Sequence, residues 1–288
     1  MTKKNRYIWV NGTFIRDSDP ALRPATKGLM YGAGCFETLR SYRGKFLHLN
    51  LHLDRLMKGM EYLDIDPGEQ FLEDLLRDSI QQLLARNGLA DQDAIVRIQV
   101  SDAGMRGYRP NREIQPNIII TTSPLEDRSG QYRLSTVSQR VIPSASRPAD
   151  LKLSNTLHYM QAWREAQKNG ANDALMLTSK GMVAESAIAN IFWKKGDTIF
   201  TPSCDCDILP GLVRQIMLEL LTRSPNYYVQ EAQFRPADLL NADIVWLTNS
   251  VRQILPVAGV DDHDFPVETR FYEDLKNAFH LYREVNLS

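Results

Sequence analysis

Two residues of this sequence, Lys152 and Glu185, are of the types that carbonyl chemistry needs. They stand near the two ends of the stretch 150–193, DLKLSNTLHYMQAWREAQKNGANDALMLTSKGMVAESAIANIFW. A lysine becomes nucleophilic when desolvation or a nearby cation lowers its pKa. It can then hold an aldehyde as a Schiff base. An aldehyde cofactor that draws electrons through a ring nitrogen also wants an acid beside that nitrogen. The plainer reading is a loop lysine and a solvated acid, so the rest of the chain has to decide.

Other stretches suit an anion. Pro210-Gly211-Leu212-Val213-Arg214 opens a helix, where the amides of Leu212 and Val213 and the positive dipole end favour phosphate. Thr248-Asn249-Ser250 ends a strand, and its hydroxyls and amides suit the same ligand. Turn chemistry explains it equally well. Arg55, in HLDRL, stands beside an apolar stripe. An arginine there is either a buried anion ligand or one that reaches out to solvent. The loop Arg106-Gly107-Tyr108-Arg109 joins cations, a phenol and a flexible glycine, which suits a carboxylate substrate or a plain solvated loop. His48, His52, His158, His263 and His280 show no metal or nucleophile spacing and read as structural or surface residues. Cys204-Asp205-Cys206 has no second Cys/His pair at zinc spacing, so no metal is expected.

The chain of 288 residues is long enough for one large domain or two ordinary ones. Its net charge of −1 gives no global field toward nucleic acid or an anionic membrane. The start MTKKNRYIWV lacks the apolar core of a secretory signal, and no apolar run approaches a membrane span. Three cysteines, Cys35, Cys204 and Cys206, are not a disulfide framework. A reducing, cytoplasmic setting fits.

The elements that must position these residues follow from pattern. Strands are expected at 7–10 and 13–15, joined by the Asn11-Gly12 turn. More follow at 35–42 and 45–49. Helices are expected at 50–63, with Leu53, Leu56, Met57, Met60 and Leu63 on one face, and at 71–86. Strands at 94–100 and 117–122 complete a first α+β domain, 1–122. The polar stretch 123–130 reads as a linker. A larger domain, 131–288, holds strands near 132–137, 173–178, 189–193, 198–201, 227–230, 244–248 and 254–257. Its helices are expected at 155–169, 212–221 and 267–284. Strands outnumber helices and several are hairpins, so the sheets should be mostly antiparallel or mixed.

With these residues in view, the chain resembles the class IV aminotransferases, the fold-type IV pyridoxal-phosphate family. YGAGCFETLR, HLDRL, LKLSN, VAESAIANIFW, LPGLVR and LTNSVRQILPV resemble its motifs in order. The resemblance implies an α+β fold of two domains and pyridoxal 5'-phosphate as cofactor. It implies that Lys152 holds the cofactor and shuttles the proton, and that Glu185 pairs with the pyridine nitrogen. It assigns the phosphate to Arg55, the amides of Leu212 and Val213, and Ser250 with its neighbour Asn249. Tyr31, Arg106 and Tyr108 would meet the substrate. Thr38 stands where branched-chain members resemble FEGIR with glycine, and looks like the lyases of the family. Arg106-Gly107-Tyr108 resembles the lyase RGY motif, and Leu157 departs from the branched-chain tyrosine. These features imply aminodeoxychorismate lyase activity, giving 4-aminobenzoate and pyruvate for folate synthesis. The alternative is a D- or branched-chain amino-acid transaminase; a non-catalytic binding protein on the same fold is a remote one. A homodimer is implied too, with the Arg106 loop reaching the neighbouring site.

Overall fold

The computed structural model describes residues 6–19, 22–68, 71–109, 115–126 and 131–288. Two compact units emerge. One comprises Met1–Asp127, Leu151–Asn155 and Asn286–Ser288; the other comprises Arg128–Asp150 and Thr156–Val285. The division is not the contiguous one that the sequence pattern suggests. The short lysine segment returns to the first unit, because its backbone hydrogen-bonds there.

The first unit is built on β1 (Tyr7–Val10), β2 (Thr13–Arg16), β3 (Gly34–Tyr42), β4 (Lys45–Phe46), β5 (Ala94–Ser101) and β6 (Asn117–Pro124). They form one sheet in the order β2-β1-β6-β5-β3-β4, antiparallel at every pairing. Asn11 and Gly12 both take positive φ, 46° and 90°, as a tight hairpin requires. Along β5, Ala94, Val96, Ile98 and Val100 are buried and the residues between are not. That alternation puts one face of the sheet against two helices, α2 (Leu49–Tyr62) and α3 (Glu73–Arg86), in a common core. A short α1 (Lys27–Tyr31) precedes β3, with Thr26 capping the amide of Leu29 at 3.4 Å. Five residues are too few to show a helical period, so the pattern gives no sign of α1.

Three expectations need correction. The strand at 45–49 stops at Phe46, because His48 at φ 51° turns the chain into α2. Met57 is 42% exposed. The buried arc of α2 is centred on Leu49, Leu56 and Met60, and Met57 lies about 100° from that centre at 3.6 residues per turn. Ser123 and Pro124 belong to β6, where they pair with Ile95 and Ala94, and not to a linker. Residues 127–130 of that expected linker lie outside the described residues.

The second unit has two five-stranded sheets. One uses β7 (Arg133–Arg140), β8 (Asp173–Leu177), β9 (Val183–Ser186), β15 (Gly259–Val260) and β16 (His263–Asp264), in the order β16-β15-β7-β8-β9. The other uses β10 (Asn190–Lys195), β11 (Thr198–Pro202), β12 (Tyr228–Ala232), β13 (Ile244–Asn249) and β14 (Gln253–Pro256), in the order β12-β11-β10-β13-β14. Both are mixed: β7 runs parallel to β8 and β15, and β11 to β12, while the other pairs are antiparallel. Helices α4 (Leu157–Lys168), α5 (Leu212–Thr222), α6 (Pro236–Leu240) and α7 (Arg270–Asn286) complete the chain. All four residues of β9 are buried, so it carries no alternation for a pattern to find.

Leu56 is 1% exposed at the centre of the first core. Leu56→Ala should lower stability by about 2–5 kcal/mol. The fall would show in the first transition of a urea unfolding curve.

Candidate active site

In the first unit the lysine segment lies along an edge of β3. Phe36 N–H donates to the Lys152 carbonyl at 2.9 Å, and Ser154 N–H donates to the Gly34 carbonyl at 2.8 Å. Leu153 bridges antiparallel to Cys35. Residues 152–154 thus act as a short extra strand. Residues opposite each other in such a pairing share a face, so Lys152 stands on the Phe36 face. Its Nζ lies 4.7 Å from the centre of the Phe36 ring. Gly34 leaves room for this edge: a Cβ there would meet the Val100 carbonyl oxygen at 2.5 Å and Ser154 Oγ at 3.0 Å.

Thr38, two residues beyond Phe36, shares that face. Across the sheet it pairs with Arg97, whose guanidinium carbon is 3.8 Å from the Phe36 ring centre. Burial lowers the pKa of Arg97, against the pull of Glu37. Gln99 donates to Ser154 Oγ at 2.6 Å. Lys152, Thr38, Arg97 and Gln99 form one polar surface around an aromatic ring. Arg97 carried no signal in the sequence, because one charge in AIVRIQVS looks like the solvated side of a strand.

The opposite face of β3 points into the core. Glu37 is fully buried there. Its Oε1 accepts from Arg55 Nε at 2.6 Å, and its Oε2 accepts from Arg55 Nη2 at 2.9 Å. His52 Nδ1 lies 2.7 Å from Oε2. Burial alone would raise the Glu37 pKa, but His52 and Arg55 outweigh it and hold the carboxyl at about 2. Cys35 donates to the Leu56 carbonyl at 3.6 Å, and burial with Glu37 pushes its thiol up to about 12. That thiol is inert at neutral pH.

In the second unit Glu185 is 4% exposed on β9. Tyr159 of α4 donates to its Oε1 at 2.6 Å. Asn190 Nδ2 and the Leu209 amide donate to Oε2 at 3.1 and 3.2 Å. Burial, then Glu185, raises the Tyr159 phenol well above its ordinary value, so it stays a donor. Asn190 also donates to the Leu209 carbonyl at 2.7 Å. Leu212 and Val213 are the first two residues of α5, after Gly211. Arg214 is buried and already engaged within the chain: it donates to the Pro202 carbonyl at 2.8 Å and pairs with the Glu231 carboxylate at 2.5 Å, pinning the start of α5. Asn249 Oδ1 accepts from the amides of Val251 and Arg252, at 3.0 and 2.7 Å, and fixes the turn that holds Ser250.

The structure therefore groups Lys152 and Thr38 on one face of the first unit, with Arg55 behind them on α2. Tyr31 and Tyr108 touch, with ring centres 5.6 Å apart. Tyr31 is 45% and Tyr108 93% exposed, and Arg106 is also exposed. Glu185, Leu212, Val213, Asn249 and Ser250 belong to the second unit. The second unit's residues fit a phosphorylated pyridine cofactor. Glu185 is a carboxylate already oriented by donors. The start of α5 offers amides, and a Cβ on Gly211 would sit 2.2 Å from Asn190 Oδ1. The Thr248 hydroxyl is buried without a partner on β13, beside the turn that carries Ser250.

This fold, with a lysine on a sheet edge and a carboxylate in a hydrogen-bonded cradle, defines a class of pyridoxal-phosphate enzyme. Residues 34–260 match the family described as Amino-transferase class IV, and the chain belongs to that family. It is accordingly a pyridoxal-phosphate-dependent enzyme of the lyase or aminotransferase kind. Aminodeoxychorismate lyase of Bacillus subtilis is 29% identical, over 95% of this chain and 96% of its own. A putative branched-chain-amino-acid aminotransferase of Methanocaldococcus jannaschii is 30% identical, over 88% of each chain. The fold is also that of the branched-chain aminotransferase of Thermoproteus uzoniensis solved with norvaline, at a TM-score of 0.89 and 20% identity over 98% of both chains.

Two outcomes follow. Gly211→Ala pushes a methyl group into Asn190 and disturbs the donors of Glu185. Losing one hydrogen bond to a charged group costs about 1.5–3 kcal/mol, so cofactor affinity should fall about tenfold or more in a fluorescence titration. Glu37 has a depressed pKa, so its contribution to stability is present above about pH 4.5 and is lost as pH falls toward about 2. Urea midpoints measured down that range should fall more steeply for the native chain than for Glu37→Gln.

Proposed function

We propose that the enzyme is an aminodeoxychorismate lyase. The observation that carries this reading is Thr38: a hydroxyl, where branched-chain members of this family resemble FEGIR with glycine, on the sheet face that also bears Lys152. Arg97 on that face supports a substrate with carboxylates, and the 29% identity to the Bacillus subtilis lyase supports the same class. The 30% identical relative from Methanocaldococcus jannaschii, by contrast, favours a transaminase. That is the rival reading.

Pyridoxal phosphate, when bound, supplies the electron sink. Lys152 holds it and is then the base. Glu185 keeps the pyridine nitrogen protonated, its own carboxylate oriented by Tyr159, Asn190 and the Leu209 amide. Arg55, the Leu212 and Val213 amides, Ser250 and Asn249 hold the phosphate. Lys152 Nζ takes the proton from the carbon bearing the substrate amine. The enolpyruvyl C–O bond breaks, and the ring becomes aromatic. The released enolpyruvate takes a proton on its CH2 carbon and leaves as pyruvate. Every atom of the products comes from the substrate, so no amino acceptor is needed. Thr38 gives the leaving oxygen a proton and recovers it when the enol turns into the ketone. Arg97 and Tyr31, with Arg106 and Tyr108, receive the carboxylates. The reading also makes the enzyme a cytoplasmic homodimer in folate synthesis. The exposed Tyr31, Met105 and Tyr108 would be covered in that dimer.

The test supplies the reconstituted enzyme with aminodeoxychorismate in one assay, and with D-alanine or L-leucine plus 2-oxoglutarate in another. Release of 4-aminobenzoate without an acceptor is expected. Lys152→Ala should abolish it, and Thr38→Gly should lower kcat by about 10²-fold, the usual scale for one general acid. Amino transfer without 4-aminobenzoate would overturn the lyase in favour of the transaminase.

A further inference from the structure

We propose that Glu37 and His52 are positioning residues that aim Arg55 at a phosphate monoester. The proposal rests on the reading of Arg55 as a ligand of the cofactor phosphate and goes one layer behind it. Both residues lie in stretches that resemble family motifs, YGAGCFETLR and HLDRL, yet neither carried a role: Glu37 had none assigned, and His52 reads as structural.

The geometry is a clamp. Guanidinium is planar, with five N–H donors in fixed directions. Glu37 takes the Nε–Nη2 edge through both of its oxygens, at 2.6 and 2.9 Å. Gripping one edge of a rigid fork fixes where the remaining donors point. His52, one turn before Arg55 on α2, holds Glu37 Oε2 from the other side at 2.7 Å. The clamp is buried: the Glu37 side chain is 0% exposed, that of His52 3%, and that of Arg55 12%. Glu37 also belongs to the strand that seats the lysine segment, one residue after Phe36. One strand thereby sets both the amine and the cation.

A plain brace between α2 and β3 is the competing account. A buried ion pair is poor at that task, because its desolvation offsets most of its attraction and apolar residues brace as well. What a bidentate pair adds is direction. Direction matters if Arg55 meets a tetrahedral dianion and is wasted if it meets nothing.

Pyridoxal, which lacks the phosphate, separates the two accounts. Apoenzyme is titrated with pyridoxal phosphate and with pyridoxal, following fluorescence, for the native chain, Glu37→Gln, His52→Gln, Arg55→Gln and the double variant Glu37→Gln/Arg55→Gln. Thermal midpoints of each apoenzyme are recorded alongside. Glu37→Gln should weaken pyridoxal phosphate about tenfold, the scale seen when a group that orients a ligand is lost, and leave pyridoxal within about twofold. The double variant should be no worse than Arg55→Gln alone, since Glu37 acts through Arg55. Equal weakening of both ligands, or a lower apoenzyme midpoint with an unchanged preference for the phosphate form, would make Glu37 a brace and overturn the proposal. If Arg55→Gln narrows the preference and Glu37→Gln does not, the proposal alone falls. If Arg55→Gln leaves the preference intact, the reading of Arg55 fails and takes the proposal with it. Should Glu37→Gln not fold, His52→Gln carries the test: a narrowed preference supports the clamp, and an unchanged one overturns it.

Discussion

The arrangement in the first unit depends on one backbone pairing, the Phe36 amide to the Lys152 carbonyl at 2.9 Å. A lysine on a free loop would sample many directions, and its amine would have no fixed neighbour. Here the loop is held as a strand for three residues, with the Ser154 amide bonded to Gly34 at 2.8 Å. Strand pairing fixes side-chain direction at every second residue. The amine therefore shares a face with Phe36, Thr38 and Arg97, and the chemistry of that face is set by the register.

The same strand separates two kinds of electrostatics. On one face lie cations around an aromatic ring, partly open to water. On the other, Glu37 is fully buried and survives as an anion because Arg55 and His52 face it. Cys35, on that buried face, has no such cation acting on it among the described residues, and burial with Glu37 drives it the other way. Burial raises the pKa of both acids; only the partners differ. This is why the Cys35 thiol stays protonated at neutral pH while Glu37 stays ionised.

Much of the fold was legible in the sequence. The Asn11-Gly12 hairpin, the alternation along β5 and the apolar arcs of α2 and α3 each follow from a local rule. The glycine before α5 and the carboxylate in VAESAIANIFW were legible as motifs of a family. What was not legible depends on distant contacts. Strand β9 is buried on both sides and so lacks a period. Arg97 looks solvated until its ring partner on β3 is placed. His52 shows no metal spacing, because its partner is a carboxylate 15 residues away and not a metal. The return of residues 151–155 to the first unit is a matter of edge pairing, which no composition shift announces.

Register also sets where both charged groups of the first unit stand. A slip of one residue in β3 would exchange its faces. Glu37 would then enter the face of Lys152, and the guanidinium of Arg55 would lose the buried carboxylate that grips it. Both the amine and the cation would be misplaced by a single error. Several local features oppose that slip. Gly34 admits the lysine segment where a methyl group would strike the Val100 carbonyl. Leu39 and Cys35 fill the core at 1% exposure each, and β5 pairs with β3 over eight consecutive residues, from Gly34 to Ser41. A long strand with one apolar face is strongly specified in register, and that specification is what places a lysine and an arginine, far apart in sequence, on a common frame.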